Sequence, residues 1–380
     1  MFHFNLDLDF EFHLDLEHFQ ADFQALAPSA MPQNQKRKRI LLNILINLGV
    51  VTYLIGFIFL YTAIFGMRNS VGGISLATSL LMFTHLDMGI KNSHAPVVII
   101  LMFLFSAFSS HLGVWDPFLG IAVNLISIFL IITFACQNVS SKVYLPFVVC
   151  YIFNQGNPVE GHELYLRVVG LFIGAVMVSI VYLIFNRKKR YSVGLLSLFK
   201  NFRFSSQRTR FALRLASALT IGMFIGDIFS LPRTAWIGMT INSLILPFIH
   251  ETKARFPLRI LAQFGGAILV YLVFGMLLPS QWYIVGIFFT SFLYMFFQNY
   301  FFQQLFVSIN AMVGALSIAE VGDVLIMRWE FVLIGAAIVL AVNLFSIHVR
   351  PIDRIIYLRK KQRLGQAVQR NPHFPAHAHR

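Results

Sequence analysis

Along this chain, runs of apolar residues long enough to cross a bilayer alternate with short loops that collect nearly all of the charge. A helix needs about 20 apolar residues to span the roughly 30 Å hydrocarbon layer. Inside that layer the backbone has no water to bond, so such runs satisfy themselves as helices. The pattern predicts spans near 40–65, 71–86, 95–112, 118–136, 142–153 and 166–185, then 211–230, 234–249, 260–278, 282–302, 304–319 and 329–348. Spans 71–86, 142–153 and 304–319 are short or carry polar residues, the mark of broken or tilted helices. The expected fold class is all-α, a polytopic integral membrane protein with about 12 transmembrane helices.

Loop charge sets the expected orientation. With both ends on the cytoplasmic side, the inner segments hold Lys36–Arg39, Lys91, Lys142, Arg187–Arg190, Arg214, Lys253, Arg255, Arg259 and the tail. Of the 30 Lys and Arg, Arg68, Arg167, Arg233 and Arg328 then fall outside. This is a strong positive-inside signal, and the outer loop with Glu160 and Glu163 is acidic, as the orientation requires.

Composition agrees with the pattern: 57% hydrophobic and 12% charged residues, with mean hydropathy +0.72, exclude a soluble globule. The net charge of +14 sits in clusters beside the spans, where it faces anionic headgroups. Membrane lipids are therefore expected partners; nucleic acid is not, because no soluble domain stands behind these clusters. Cys136 and Cys150 lie in or beside spans and have neither metal nor disulfide spacing. From Phe4 to Leu16 apolar and acidic residues alternate, without the basic start and continuous apolar core of a secretory signal. Residues 1–35 are read as a disordered acidic segment, with 1–30 open to being an upstream mis-start, and Met31 as the more natural beginning.

The two sets of six spans overlay at an offset of about 164 residues. Phe65-Gly-Met-Arg-Asn-Ser and a short span ending His85-Leu-Asp87 match Phe229-Ser-Leu-Pro-Arg-Thr and a short span ending His250-Glu251. Six is even, so the halves run parallel about an axis along the membrane normal, an arrangement found in transporters. The expected organisation is a first membrane half at 36–187, a basic cytoplasmic linker at 188–210, a second half at 211–349 and a basic cytoplasmic tail at 350–380. Within the linker, Leu195, Leu196, Leu198 and Phe199 suit an amphipathic helix lying on the inner leaflet.

The second half carries a more specific pattern. Arg210-Phe-Ala-Leu-Arg214-Leu-Ala-Ser-Ala enters span seven, followed by Leu231-Pro-Arg-Thr-Ala-Trp236-Ile-Gly-Met-Thr240. Pro247, Thr252, Arg255, Arg259 and Gly265-Gly266-Ala267 complete it. These residues resemble the fusaric-acid-resistance-like family, integral membrane bound transporter-like proteins that include aromatic acid exporters and plant malate channels. The resemblance covers roughly residues 208–320. This chain has Ala262-Gln263 where the family pattern has Gly-Thr, and it lacks the sizeable cytoplasmic domain of the larger exporters.

Read as residues, the same segment offers candidates for binding. Thr240 and Asn242 are polar groups in an apolar span, facing either a helix interface or a water-filled path. Trp236 is an interfacial anchor or a platform for an aromatic ring. Guanidinium groups at Arg255 and Arg259 suit carboxylates, although positive-inside topology also places basic residues there. Asp227, His85 and His250 are proton-coupling candidates, or polar groups at span ends. His111 and Asp116 have an acyltransferase-like spacing, but they fall on the outer side and no basic substrate block follows. With no phosphate-binding loop, zinc spacing or Ser-His-Asp set, no enzymatic activity, cofactor or metal is expected.

The resemblance and the topology together imply a secondary transporter exporting small organic anions, aromatic carboxylates foremost, across a bacterial plasma membrane. An anion channel and a non-transporting membrane protein are the alternatives, and a homo-oligomer is left open.

Overall fold

The computed structural model describes residues 33–135, 138–189, 191, 193–194, 206–297, 299–316 and 319–349. Residues 1–32 of the acidic N-terminal segment, Cys136, the amphipathic part of the linker and the basic tail lie outside the described residues, whereas residues 33–35, expected to be disordered, already belong to a helix.

Twelve α-helices and no strand occur among the described residues. They are α1 (Gln33–Phe65), α2 (Ser70–Met82), α3 (Ala95–Gly113), α4 (Pro117–Ala135), α5 (Leu145–Gln155) and α6 (Gly161–Asn186). The second six are α7 (Gln207–Ile228), α8 (Ala235–Leu244), α9 (Ile249–Leu269), α10 (Tyr283–Tyr294), α11 (Tyr300–Ala315) and α12 (Val321–Val349). A π-helical stretch, Val270–Leu277, extends α9. Each expected span coincides with a helix, which bears out an all-helical, membrane-embedded chain.

Seven of these helices are long and apolar enough to cross a bilayer: α1, α3, α4, α6, α7, α9 with its extension, and α12. The others are shorter. At 1.5 Å rise per residue, ten residues reach only about 15 Å, so α8 with its ten residues cannot cross as a helix alone. The expected span 234–249 therefore stops being helical at Leu244, and 282–302 is helical only over Tyr283–Tyr294 before α11 begins.

The chain divides into two compact units. One comprises Met1–Ile64 and Lys253–Glu330, the other Phe65–Thr252 and Phe331–Arg380. In the larger unit α3 packs on α4, α5 and α6, α2 packs on α5 and α6, and α7 packs on α4 and α8. Small residues set these approaches: a Cβ at Gly156 would lie 2.7 Å from the Ala235 backbone nitrogen, and one at Gly174 would strike Leu76. Phe83, Phe103, Phe147 and Tyr182 fill the space between α2, α3, α5 and α6 with fully buried rings.

Polar bonds lock the loops of the larger unit. Arg167, expected outside, lies in α6 and is 2% exposed. Its Nε donates to Asn69 Oδ1 at 2.9 Å, Nη1 to the Asn154 carbonyl and Nη2 to the Arg68 carbonyl, both at 3.1 Å. The end of α6 is tied to the α2–α3 loop, where Asn92 Nδ2 donates to the carbonyls of Asn186 and Lys189 at 2.9 Å. Lys91 N–H meets the Val193 carbonyl at 2.8 Å.

Candidate functional site

The residues carrying the family resemblance include a structural bracket in the larger unit and a polar stripe in the smaller one. In the larger unit, Arg214 Nη2 donates to the carbonyls of Leu246 and Pro247 at 2.7 and 2.9 Å, and Nη1 to Asn343 Oδ1 at 3.3 Å. Thr252 Oγ1 accepts from Leu246 N–H at 3.3 Å. The chain after Leu244 is non-helical, so its carbonyls need side-chain donors at this depth. Arg214, Pro247 and Thr252 thus hold a helix break closed.

On α8, Trp236 is nearly buried, with its ring 6.4 Å from Phe331 and the Arg233 guanidinium 5.3 Å above it. Arg233 adopts φ 59°, a left-handed backbone that non-glycine residues seldom take. Thr240 is fully buried; its hydroxyl donates to the Trp236 carbonyl at 2.9 Å, and it packs on Gly335. Asn242 is buried, and its Oδ1 has no hydrogen-bond partner among the described residues. Asp227, at the end of α7, accepts from Gln155 Nε2 at 3.3 Å.

The two His candidates fare differently. His85 is exposed, while Asp87 pairs with Lys189 at 3.1 Å and accepts from Tyr191 Oη and from Gly89 N–H. The side chain of His250 lies outside the described residues.

Arg255 and Arg259 belong to the smaller unit, where they join a polar stripe. Arg255, Arg259 and Gln263 follow one another at four-residue spacing on α9, as Tyr300, Gln304 and Ser308 do on α11. Residues four apart share a helix face. The stripes meet at both ends: the Arg255 guanidinium lies 4.7 Å from the Tyr300 ring centroid, and Gln263 Nε2 donates to Ser308 Oγ. The matched register sets Arg259 level with Gln304. Helices approach closely at Gly266, where a Cβ would sit 3.3 Å from the Leu305 carbonyl. Gly266 supplies a close approach of the two helices just beyond Ala262-Gln263, which stand where the family pattern has Gly-Thr.

Arg259 is 2% exposed, and its Nε is buried with no hydrogen-bond partner. Among the described residues no carboxylate forms an ion pair with it. Gln263 Oε1, Gln304 Oε1 and the Tyr300 hydroxyl are likewise buried without hydrogen-bond partners. Arg328 of α12 belongs to the same unit. Expected at an outer span end, Arg328 is instead inside an apolar helix and 2% exposed. An Arg next to a long apolar run reads as a terminus, whereas here the helix begins a full two turns earlier, at Val321. Trp329 fixes this part of α12 by packing on Phe264, with ring centroids 4.7 Å apart.

Arg328, Tyr300, Gln304 and Ser308 were not singled out from the sequence. The four-residue spacing on α11 was a readable signal; the burial of Arg328 had none.

No curated protein and no solved structure is similar to the chain. Residues 219–342 match the family model described as fusaric acid resistance protein-like, from within α7 to within α12. The resemblance read from the sequence is therefore borne out over this segment, which includes Arg255 and Arg259.

Proposed function

We propose that the protein is a secondary transporter that exports small organic anions, aromatic carboxylates foremost, across a bacterial plasma membrane. One observation carries the anion: Arg259 is a guanidinium buried in an apolar span and, among the described residues, its Nε has no hydrogen-bond partner and no carboxylate pairs with it. A charge at such a place is costly, and within membrane spans it commonly marks a solute path. Guanidinium forks match carboxylates. The Arg255–Tyr300 pair beside it combines charge with an aromatic face, a surface suited to an aromatic acid.

The reading includes twelve crossings as two parallel six-helix repeats, with both termini cytoplasmic. In that frame the short helices α2 and α8 occupy equivalent places, and non-helical or π-helical segments complete the crossings that short helices cannot. A potential negative inside drives an anion outward by about 2.3 kcal/mol per charge per 100 mV, so export needs no ATP. Within the larger unit, Asp227 is the group assigned to proton coupling, and Trp236, Thr240 and Asn242 are assigned to anion binding.

The test is flux of labelled benzoate-type carboxylates in proteoliposomes with potential and pH gradient clamped separately. Saturable flux that responds to the pH gradient supports the exporter. Flux that follows voltage alone would make the protein a channel, and no flux above empty vesicles would remove transport altogether.

A further inference from the structure

We infer that Gln155 and Asp227 form a proton-binding site, in which the Gln155 amide holds the protonated Asp227 carboxyl by two hydrogen bonds. Its coupling to transport rests on the function proposed above; its binding of a proton does not.

Gln155 ends α5 and Asp227 lies in the last turn of α7, both in the larger unit. Half of the pair is already made: Gln155 Nε2 donates to Asp227 Oδ2 at 3.3 Å. The other end of the same amide, Gln155 Oε1, is buried without a hydrogen-bond partner, on a residue 3% exposed. An acceptor stranded in this way costs about 1–3 kcal/mol. An ionised carboxyl offers it nothing, because it only accepts. A proton taken up from water forms an O–H bond on Asp227 and leaves the carboxyl neutral. That O–H then donates to Gln155 Oε1, while the other carboxyl oxygen keeps the Nε2 bond. Asp227 is half-buried, so water can deliver the proton.

The other ionisable groups on the surrounding elements are engaged elsewhere. Among the described residues no cation forms an ion pair with Asp227. Arg233, in the turn before α8, lies over the Trp236 ring. Asp116, at the start of α4, is exposed and accepts from Phe118 and Leu119 N–H. On α5, Tyr151 donates its hydroxyl to Asn124 and Cys150 accepts from Asn154. Neither α8 nor α12 from Phe331 to Asn343 carries an ionisable side chain. A metal ion of the calcium or magnesium kind takes about six or more oxygen ligands, whereas a proton needs one.

The pair is braced against α8. Gly226 and Gly156, each next to one partner, let α7 and α5 close on the residues that open that helix. A Cβ at Gly226 would strike Thr234, and one at Gly156 would lie 2.7 Å from the Ala235 nitrogen. Making or losing the second hydrogen bond therefore acts on the start of α8, the helix of Trp236, Thr240 and Asn242.

The experiment is infrared difference spectroscopy of the full chain in proteoliposomes, with choline as the only monovalent cation. The perfusing buffer is stepped from about pH 8 to about pH 4, across the carboxylate range. The wild type should gain a carboxylic-acid C=O band that Asp227→Asn lacks and Asp116→Asn keeps. Gln155→Met, similar in length but without the amide, should keep the band and move it to higher wavenumber as the acid loses its partner. A band unmoved in Gln155→Met, or no band separating the wild type from Asp227→Asn, would overturn the site. Should Gln155→Met not fold, the wild-type band decides: the position of a hydrogen-bonded acid supports the pair, and that of a free acid overturns it. Loss of the band when sodium replaces choline would make this a sodium site instead. The shifted band together with flux that ignores the pH gradient would sink coupled export and leave the proton site standing.

Discussion

The Arg255 guanidinium lies over the ring of Tyr300, 4.7 Å from its centroid, and this contact opens a polar stripe that ends at Gln263 and Ser308. The contact uses the ring, while the Tyr300 hydroxyl is left without a hydrogen-bond partner. Cation–π contacts contribute about 0.5–2 kcal/mol. Tyr300→Leu should therefore raise the half-saturating anion concentration for flux several-fold, whereas Tyr300→Phe keeps the ring and should stay within twofold of wild type on that account. Replacing Arg255 and Arg259 together by Gln should reduce anion flux about tenfold or more with membrane insertion unchanged. Labelled-benzoate uptake into proteoliposomes measures both, and unchanged flux in the double variant would take the stripe out of the mechanism.

Arg214 donates to two backbone carbonyls and to Asn343, so its removal strands acceptors where no water reaches them. Arg214→Met is expected to destabilise the protein by about 2–6 kcal/mol. The readout is thermal unfolding in micelles alongside the yield of monodisperse protein. Arg214→Lys should recover only part of the loss, because an ammonium cannot reproduce the guanidinium fork.

Gly156 faces Ala235 so closely that a Cβ would lie 2.7 Å from both its nitrogen and its Cβ. Backbone cannot yield as a flexible side-chain tip can, so Gly156→Ala should cost about 1–3 kcal/mol. Gly49, in the middle of α1 with nothing within 4 Å of its added Cβ, provides the contrast. There the same change should be neutral or mildly stabilising, as helix propensity favours Ala by about 1 kcal/mol. Paired unfolding curves decide between packing and propensity.

Asp87 ties the start of the linker to the α2–α3 loop. Burial acts to raise its carboxyl, but the hydrogen bonds from Tyr191 and Gly89 N–H and the Lys189 ammonium outweigh it and hold the group below the ordinary carboxylate value. Hydrogen bonding to Asp87 in turn pushes the Tyr191 phenol up. A depressed carboxyl contributes stability that is fully present above its unfolded value, about 3.9, and is lost as pH falls through the lower folded value. Docking of the linker should accordingly be flat from neutral pH down to about pH 4 and weaken below. Asp87→Asn should loosen it already at pH 7, read as faster tryptic cleavage after Arg187, Lys188 or Lys189. Equal cleavage in both proteins would show that Asn92 and the Lys91–Val193 bond hold the linker unaided.

Much of the fold is legible in the sequence because membrane burial acts on whole segments. The twelve apolar intervals gave the places of the twelve helices among the described residues, and the short ones at 71–86, 142–153 and 304–319 are short helices here. Lengths were less legible: Pro247 interrupts the helix locally, but that the freed carbonyls of Leu246 and Pro247 are satisfied by Arg214, more than thirty positions away, is not written in hydropathy. Hydropathy registers transfer into the bilayer and is blind to such a bond.

The candidate site divides in the same way. By itself the sequence determined that the chain is a helical membrane protein, that residues from Arg210 to Ala267 carry a transporter-like pattern, and that Arg255 and Arg259 stand out within it. Those properties are local, set by side-chain chemistry and spacing along one helix. Tertiary structure alone decided that Arg259 is buried, that Tyr300, Gln304 and Ser308 line up along its helix, and that Arg328, in the same unit, is buried as well. Electrostatic cost depends on what surrounds a charge, and that environment exists only once helices distant in sequence have packed together.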